Sequence, residues 1–325
     1  MGKNFYYQYL YTMNNLAPVA LFVYNRLANT KKTIEHLQRN FLANETDLFI
    51  FSDGGKDAKS WKEVNQVRQL IQKVTGFKSV TIVEREKNFY LERNIMEGIA
   101  EIFQQYDKII VVEDDILTSP FFLTYMNEAL DHYQNEQKIM HIAGYTNVDA
   151  LEEGDTYYTR MMFGWGWATW RNRWQKFFQY FYTKEEALSG MTEQDCDTIQ
   201  YGGVYKCLKY LDYNPIPWDI CWKLAIYKAD GLCLTPTHTL VRNCGIYGGT
   251  HFKNMRIFGS YIGDREPSIR KINVVNNNIC LNHNIELKQR DALVDHGMRY
   301  NLLGKMVRLV YLKFFKRSKR NINSK

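Results

Sequence analysis

Three consecutive acids, Glu113-Asp114-Asp115, follow the apolar run KIIVV (108–112). Carboxylates this close raise one another's pKa unless a cation offsets them. A hard divalent ion, Mn2+ or Mg2+, taking oxygen ligands and sharing them with a diphosphate, would supply that offset. A solvated acidic turn is the plainer alternative. Asn25-Arg26 follows VALFVY (19–24), and Ser52-Asp53-Gly54-Gly55 follows DLFIF (47–51). Asp219 stands between tryptophans in Pro217-Trp218-Asp219-Ile220-Cys221-Trp222. A carboxylate desolvated there could serve as a general base, although an Asp ahead of an apolar run is also a common helix cap. The segment Phe163-Gly164-Trp165-Gly166-Trp167-Ala168-Thr169-Trp170 joins flexible backbone to flat side chains. Trp165, Trp167 and Trp218 are candidates for stacking on a sugar, whereas Trp170 and Trp174, at helical spacing, read as core. Arg93 is placed to reach a phosphate or to pair with a neighbouring acid. His251, after Gly248-Gly249-Thr250, is a candidate diphosphate contact beside Arg242 or a structural histidine.

These residues need a scaffold, and the first half of the chain supplies one. Strand-like runs at 19–24, 47–51, 79–84 and 108–112 alternate with helical patterns at about 30–40 and 58–74 and with Leu91, Ile95, Met96, Ile99, Ile102 and Phe103. Asn29 or Thr30 is a candidate cap for the first helix. The β-α-β-α-β-α-β order predicts an α/β fold with a mainly parallel, Rossmann-like central sheet and flanking helices. In such sheets ligands bind at the carboxyl ends of the strands, where the polar residues above fall.

Neither G-x-G-x-x-G after the first strand nor G-x-x-x-x-G-K-[ST] occurs, which disfavours a dinucleotide dehydrogenase and a P-loop NTPase. What remains is a nucleotide-binding sheet whose diphosphate is held through a metal on acids, the logic of a nucleotide-sugar-dependent glycosyltransferase. A sugar-nucleotide nucleotidyltransferase is the enzymatic rival, but Asn25-Arg26-Leu27-Ala28-Asn29 is not its glycine- and lysine/arginine-rich phosphate loop. A non-catalytic nucleic-acid-binding protein is the rival from another class, and it leaves the acidic cluster unexplained.

The order V-A-L-F-V-Y-N-R, F-S-D-G-G, I-I-V-V-E-D-D-I, F-G-W-G-W, P-W-D-I-C-W resembles GT-A-fold glycosyltransferases over about Ala17 to Phe252. The likeness is strongest to the group containing the animal N-acetylglucosaminyltransferase that starts complex N-glycan branching. It implies a metal-dependent, inverting transfer from a UDP-sugar. By position it implies that Arg26 and Asp53 contact the nucleotide base and ribose and that Glu113 contacts the donor sugar. Asp114 would be a ribose and metal-side contact, Asp115 the protein ligand of Mn2+, and Asp219 the base. A family segment G-x-x-H matches near His251. The implied division is an amino-terminal arm (1–16), a GT-A catalytic domain (17–255) and a carboxy-terminal extension (256–298) before a tail. Within the catalytic domain, 17–140 would form the nucleotide-sugar half and 141–255 the acceptor half. The animal enzyme has an amino-terminal membrane anchor, and no comparable apolar segment stands in this sequence.

Composition bounds the setting. The chain has 325 residues, 45% hydrophobic and 15% aromatic, and a net charge of +7. Nine basic residues and no acid lie between Arg299 and Lys325, so residues 1–298 carry a net charge of −2. That body gives no reason to expect nucleic acid as a partner. The tail, 299–325, reads as a basic amphipathic helix able to lie on an anionic membrane, or as a helix packed on the domain. Its deletion is expected to abolish flotation with anionic liposomes; unchanged flotation would remove the idea. Six dispersed cysteines without a C-x-x-C pair, and an amino terminus lacking a signal peptide's apolar stretch, predict reduced, buried thiols and a cytosolic protein. The Asn-, Lys-, Tyr- and Ile-rich composition fits a bacterial enzyme building surface polysaccharide on a lipid-linked saccharide acceptor, peripheral on the inner face of the cytoplasmic membrane.

Overall fold

The computed structural model of the chain describes residues 15–148, 154–245, 265–274 and 278–293. The sheet begins with β1 (Val19–Val23), β2 (Asp47–Ser52), β3 (Ser79–Glu84) and β4 (Lys108–Glu113). It continues through β6 (Ile139–Ala143), β7 (Thr156–Thr159), β8 (Trp167–Trp170) and β9 (Leu232–Pro236). These eight strands lie in the order β3-β2-β1-β4-β8-β6-β9-β7. β1 to β4 are mutually parallel, β8 runs antiparallel between β4 and β6, β9 is parallel to β6, and β7 is antiparallel to β9. Six of the eight strands therefore share one direction. This is the α/β architecture predicted above, a mainly parallel Rossmann-like sheet with flanking helices. The two halves expected at 17–140 and 141–255 contribute strands to this one sheet.

Period-two alternation explains how the sheet is covered on both faces. On β1, Val19, Leu21 and Val23 join one apolar cluster with Ile34 and Leu37 of α1 (Leu27–Gln38), Val67 and Ile71 of α2 (Ala58–Ile71), and Phe122 and Met126 of α4 (Phe122–His132). Ala20 and Phe22 face the other way, toward Ile95, Ile99 and Ile102 of α3 (Tyr90–Ile102) and Trp222 and Ile226 of α8 (Trp218–Lys228). Between β8 and α8 the chain forms α5 (Arg171–Phe177), α6 (Lys184–Leu188) and α7 (Glu193–Ile199). Trp170 and Trp174 are buried, as expected, but Trp170 closes β8 and only Trp174 is helical, in α5.

Several local expectations are corrected. α1 starts at Leu27 with Arg26 at its cap position and no side-chain cap, so neither Asn29 nor Thr30 plays that role. Instead the Thr30 N–H and hydroxyl both donate to the Arg26 carbonyl at 2.9 Å, and the Thr33 hydroxyl donates to the Asp114 carbonyl at 2.9 Å. The Thr30 bonds close the first turn on Arg26, and the Thr33 bond pins the helix to the segment after β4. Leu91, expected on the buried face of α3, is 45% exposed. The thiols are free, but Cys280 is exposed rather than buried.

A second, two-stranded sheet pairs β5 (Ile116–Thr118) with β10 (Val241–Asn243), antiparallel. The described part of the carboxy-terminal extension packs on the main body. Ile272 is wholly buried there, and Asp155 accepts hydrogen bonds from the Asn273 backbone N–H at 3.0 Å and from its side chain at 2.7 Å. Helical backbone over 283–293 buries Gln289, whose side-chain carbonyl accepts from the Thr159 hydroxyl at 2.7 Å. Among the described residues, no helix is long and apolar enough to cross a membrane. The arm over residues 1–14 and the tail 299–325 lie outside the described residues.

Candidate active site at the strand carboxyl ends

β1 and β4 are hydrogen-bonded parallel neighbours, so the residues just beyond the two strands meet at one end of the sheet. Arg26, shortly after β1, reaches across and donates through Nη1 to Asp115 Oδ2 at 2.9 Å and through Nη2 to Asp114 Oδ1. Its Nε lies 3.4 Å from Asp114 Oδ2, which also accepts from the Tyr24 backbone N–H at 3.4 Å. The Arg26 side chain is 28% exposed, against 3% for Asp114 and 12% for Asp115. Burial works against the Arg26 charge, but Asp114 and Asp115 outweigh it and hold the guanidinium charge firmly.

One guanidinium does not balance this cluster. Burial pushes the Glu113 carboxyl well above its usual range; Asp115, Asp114 and Asp219 push the same way, and Arg26 opposes them. Burial also raises Asp114, to about 6, against the pull of Arg26. Four carboxylates thus share one electrostatic neighbourhood, in which Arg26 pairs with two of them and Lys223 acts on Asp219. The residues present fit a divalent metal on this observation, because all the donors are hard oxygens and the excess charge is negative. Asp115 is the more exposed of the Arg26-bound pair. The chain also folds back over it. The Cys244 N–H donates to the Asp115 carbonyl at 2.8 Å, and a Cβ on Gly245 would lie 2.0 Å from Asp115 Oδ2. Among the described residues no three His, Cys, Asp or Glu side chains form a complete cage.

Asp219 lies in the first turn of α8, whose cap position is Pro217; its Oδ1 accepts from the Ile220 N–H at 2.9 Å. It is thus neither the cap nor enclosed between tryptophans. Trp218 and Trp222 are one helical turn apart and both point into the core, at 3% and 0% exposure, while Asp219 is only half-buried. Trp167 is wholly buried as well, stacked on the His141 ring at 5.3 Å and on the Trp218 ring at 5.1 Å. Trp167 and Trp218 are therefore core side chains and not open stacking surfaces. Only Trp165 of the three candidates retains partial exposure, packed edge-on against Tyr145 at 4.7 Å.

His141, which sequence reasoning passed over, organises this aromatic layer. Its Nδ1 accepts from Trp222 Nε1 at 3.3 Å and its Nε2 donates to the Phe163 carbonyl at 3.0 Å, a neutral tautomer that ties the aromatic loop to α8. Burial drives its pKa down to about 3, assisted by Lys223 and opposed by the Phe163 bond. A histidine lowered on folding contributes stability that is present above its unfolded value of about 6.5 and is lost as pH falls toward 3. The wild type is expected to lose up to about 1.4 kcal/mol per pH unit from this group across that window. His141→Gln should flatten that limb in acid unfolding curves; an unchanged slope would contradict this account.

The remaining predicted residues take other places. Asp53 is 5% exposed and its oxygens are already used. Oδ1 accepts from the Gly54 and Phe89 N–H groups at 2.8 and 2.7 Å, and Oδ2 from Asn88 Nδ2 at 3.0 Å. Arg93 pairs with Glu97 one turn along α3 at 2.6 Å and stacks on Phe89 at 4.0 Å. Arg242 pairs with Glu266. His251 lies outside the described residues. The strand ends thus bring together Arg26, Glu113, Asp114 and Asp115, with Asp219 of α8 near enough for its charge to act on Glu113, and leave Arg93 on a helix face.

No protein-family model matches the chain, and no curated protein matches it. Among solved structures it is similar to a mannosyltransferase from Pyrobaculum calidifontis in complex with GDP-mannose and Mn2+. That match has 10% identity and a TM-score of 0.35, covering 67% of this chain and 75% of that one. It is also similar to UDP-glucose pyrophosphorylase, complexed with UDP-glucose (11% identity, TM-score 0.37) and without ligand (10%, 0.35). Each of these covers 71% of this chain and 94% of the other.

Proposed function

We propose that the chain is a divalent-metal-dependent, inverting glycosyltransferase that moves a sugar from a UDP-sugar to a saccharide hydroxyl. The observation that carries this reading is the convergence of two kinds of carboxylate. Glu113, Asp114 and Asp115 stand at the end of a parallel strand, and Asp219 comes from a separate helix close enough for its charge to be felt at Glu113. The first group suits a divalent ion that in turn holds a nucleotide diphosphate, and the second lies in the first turn of α8 and is partly exposed.

In this mechanism Asp219 accepts the proton of the acceptor hydroxyl as that oxygen attacks the anomeric carbon. The bond from that carbon to the UDP oxygen breaks on the opposite face, which inverts the configuration. Arg26 holds Asp114 and Asp115 in place, and Glu113 faces the donor sugar. Bound at Asp115, Mn2+ or Mg2+ would supply positive charge against the departing diphosphate. Trp165, partly exposed in the loop tied to α8 through His141, is the candidate acceptor contact. A lipid-linked saccharide in bacterial surface glycan synthesis, with the tail 299–325 on anionic lipid, completes the proposed setting.

The nucleotidyltransferase alternative loses ground here, because α1 begins at Leu27 directly after Arg26 and Arg26 is committed to carboxylates. The test is a screen of UDP-sugars, with Mn2+ and with chelator, for slow hydrolysis and thermal stabilisation. At least one UDP-sugar is expected to be hydrolysed only with metal. Metal-independent behaviour across the panel would sink the proposal.

A further inference from the structure

Tyr90 is the first residue of α3 and has φ of +61°, in the left-handed region that an aromatic L-residue rarely occupies. Holding a non-glycine residue there costs free energy, and the surroundings must enforce it. The enforcement is visible. Asp53 grips the Phe89 N–H at 2.7 Å, and the Tyr90 N–H adds to the bonds on that carboxylate. Asn88 Nδ2 binds both Asp53 Oδ2 at 3.0 Å and the Gly54 carbonyl at 2.6 Å. The loops after β2 and β3 are pressed together so closely that a Cβ on Gly54 would lie 2.4 Å from the Lys87 carbonyl carbon.

What this strained backbone presents is a tyrosine that remains 53% exposed. The ring stands at the carboxyl end of the sheet, beside the loop after β2, with the Lys56 ammonium 4.5 Å from its centroid. Leu91, next to it, is also exposed. An exposed aromatic face at the strand ends, with a cation against it, suits a flat heteroaromatic ring attached to a phosphate chain.

We propose that Tyr90 is the platform on which the base of the donor nucleotide stacks, and that Asp53 is the strut that fixes this platform rather than a direct ligand of the nucleotide. The inference rests on the nucleotide-sugar reading above and assigns its base-recognition surface. Asp53 is then a positioning residue: its carboxylate is spent on the loop, and its effect on binding passes through Tyr90.

Calorimetric titration with UDP and with inorganic pyrophosphate, each with Mn2+, tests it on the full chain. Tyr90→Ala is expected to weaken UDP binding by roughly fivefold to a hundredfold and to leave pyrophosphate binding unchanged. Tyr90→Phe should bind UDP as the wild type does. Tyr90→Asn guards against a folding effect, because asparagine tolerates the left-handed backbone; it should melt near the wild-type temperature and share the UDP defect. Asp53→Ala should weaken UDP binding in the wild-type background and add no further loss to Tyr90→Asn. A folded Tyr90→Asn protein with wild-type UDP affinity, or equal losses for UDP and pyrophosphate, overturns the platform while leaving the nucleotide-sugar reading standing. Additive losses overturn the strut. A wild type that binds no UDP overturns the platform and the nucleotide-sugar reading together.

Discussion

Asp219→Asn is expected to retain UDP binding and to lose sugar transfer by about 10²- to 10⁴-fold, the usual contribution of a positioned general base. The substitution is nearly isosteric and keeps an oxygen to accept the Ile220 N–H, so the start of α8 should hold. What disappears is the capacity to take a proton. The loss should fall on kcat, with KM for the donor close to that of the wild type, because the charge is needed only as the acceptor oxygen attacks. Asp219 also contributes to the raised Glu113 carboxyl, so its removal relieves repulsion in the cluster and gives no reason for weaker donor binding. Normal turnover in this variant would assign the base elsewhere.

Asp115→Asn is expected to uncouple stability from metal. In the free chain the asparagine oxygen can still accept from Arg26, Asp114 remains as the guanidinium's ionic partner, and one of the charges that raise Glu113 is gone. The melting temperature without ligand should therefore stay within a few degrees of the wild type, roughly the shift expected for 1 kcal/mol or less. With Mn2+ and UDP the two proteins diverge. A ligand pair at a hundred times its dissociation constant adds about 2.7 kcal/mol to the wild type, and this increment should vanish in Asp115→Asn. Full stabilisation of the variant by Mn2+ and UDP would show that Asp115 is not the metal ligand.

Much of the scaffold in the first half of the chain was legible before the structure, for a local reason. The runs at 19–24, 47–51, 79–84 and 108–112 are apolar and short, and the helices between them repeat at helical spacing, so each element declares itself within a few residues. β3 is observed at Ser79–Glu84, the bounds read from the sequence. β8 declared nothing of the kind. Trp167–Trp170 reads as an aromatic loop, yet it forms the antiparallel strand between β4 and β6. Its identity as a strand depends on pairing with residues 108–111 and 142–143, which lie outside any local pattern. The tryptophans show the same limit. Residue type made Trp165, Trp167 and Trp218 equal candidates, and only packing separated the half-exposed Trp165 from the two in the core.

The sequence by itself determined that acids would stand at the carboxyl end of a buried parallel strand, because strand, turn and charges are contiguous in the chain. It also placed the positive charge excess in the tail. Tertiary structure alone decided which groups meet: Arg26 clamped on Asp114 and Asp115, Asp219 within electrostatic reach of Glu113, and Asp53 turned inward to hold Phe89 and Tyr90. Electrostatic and hydrogen-bond energies depend on distance and burial, and the fold sets both by bringing together residues that lie 36 to 106 positions apart in the chain.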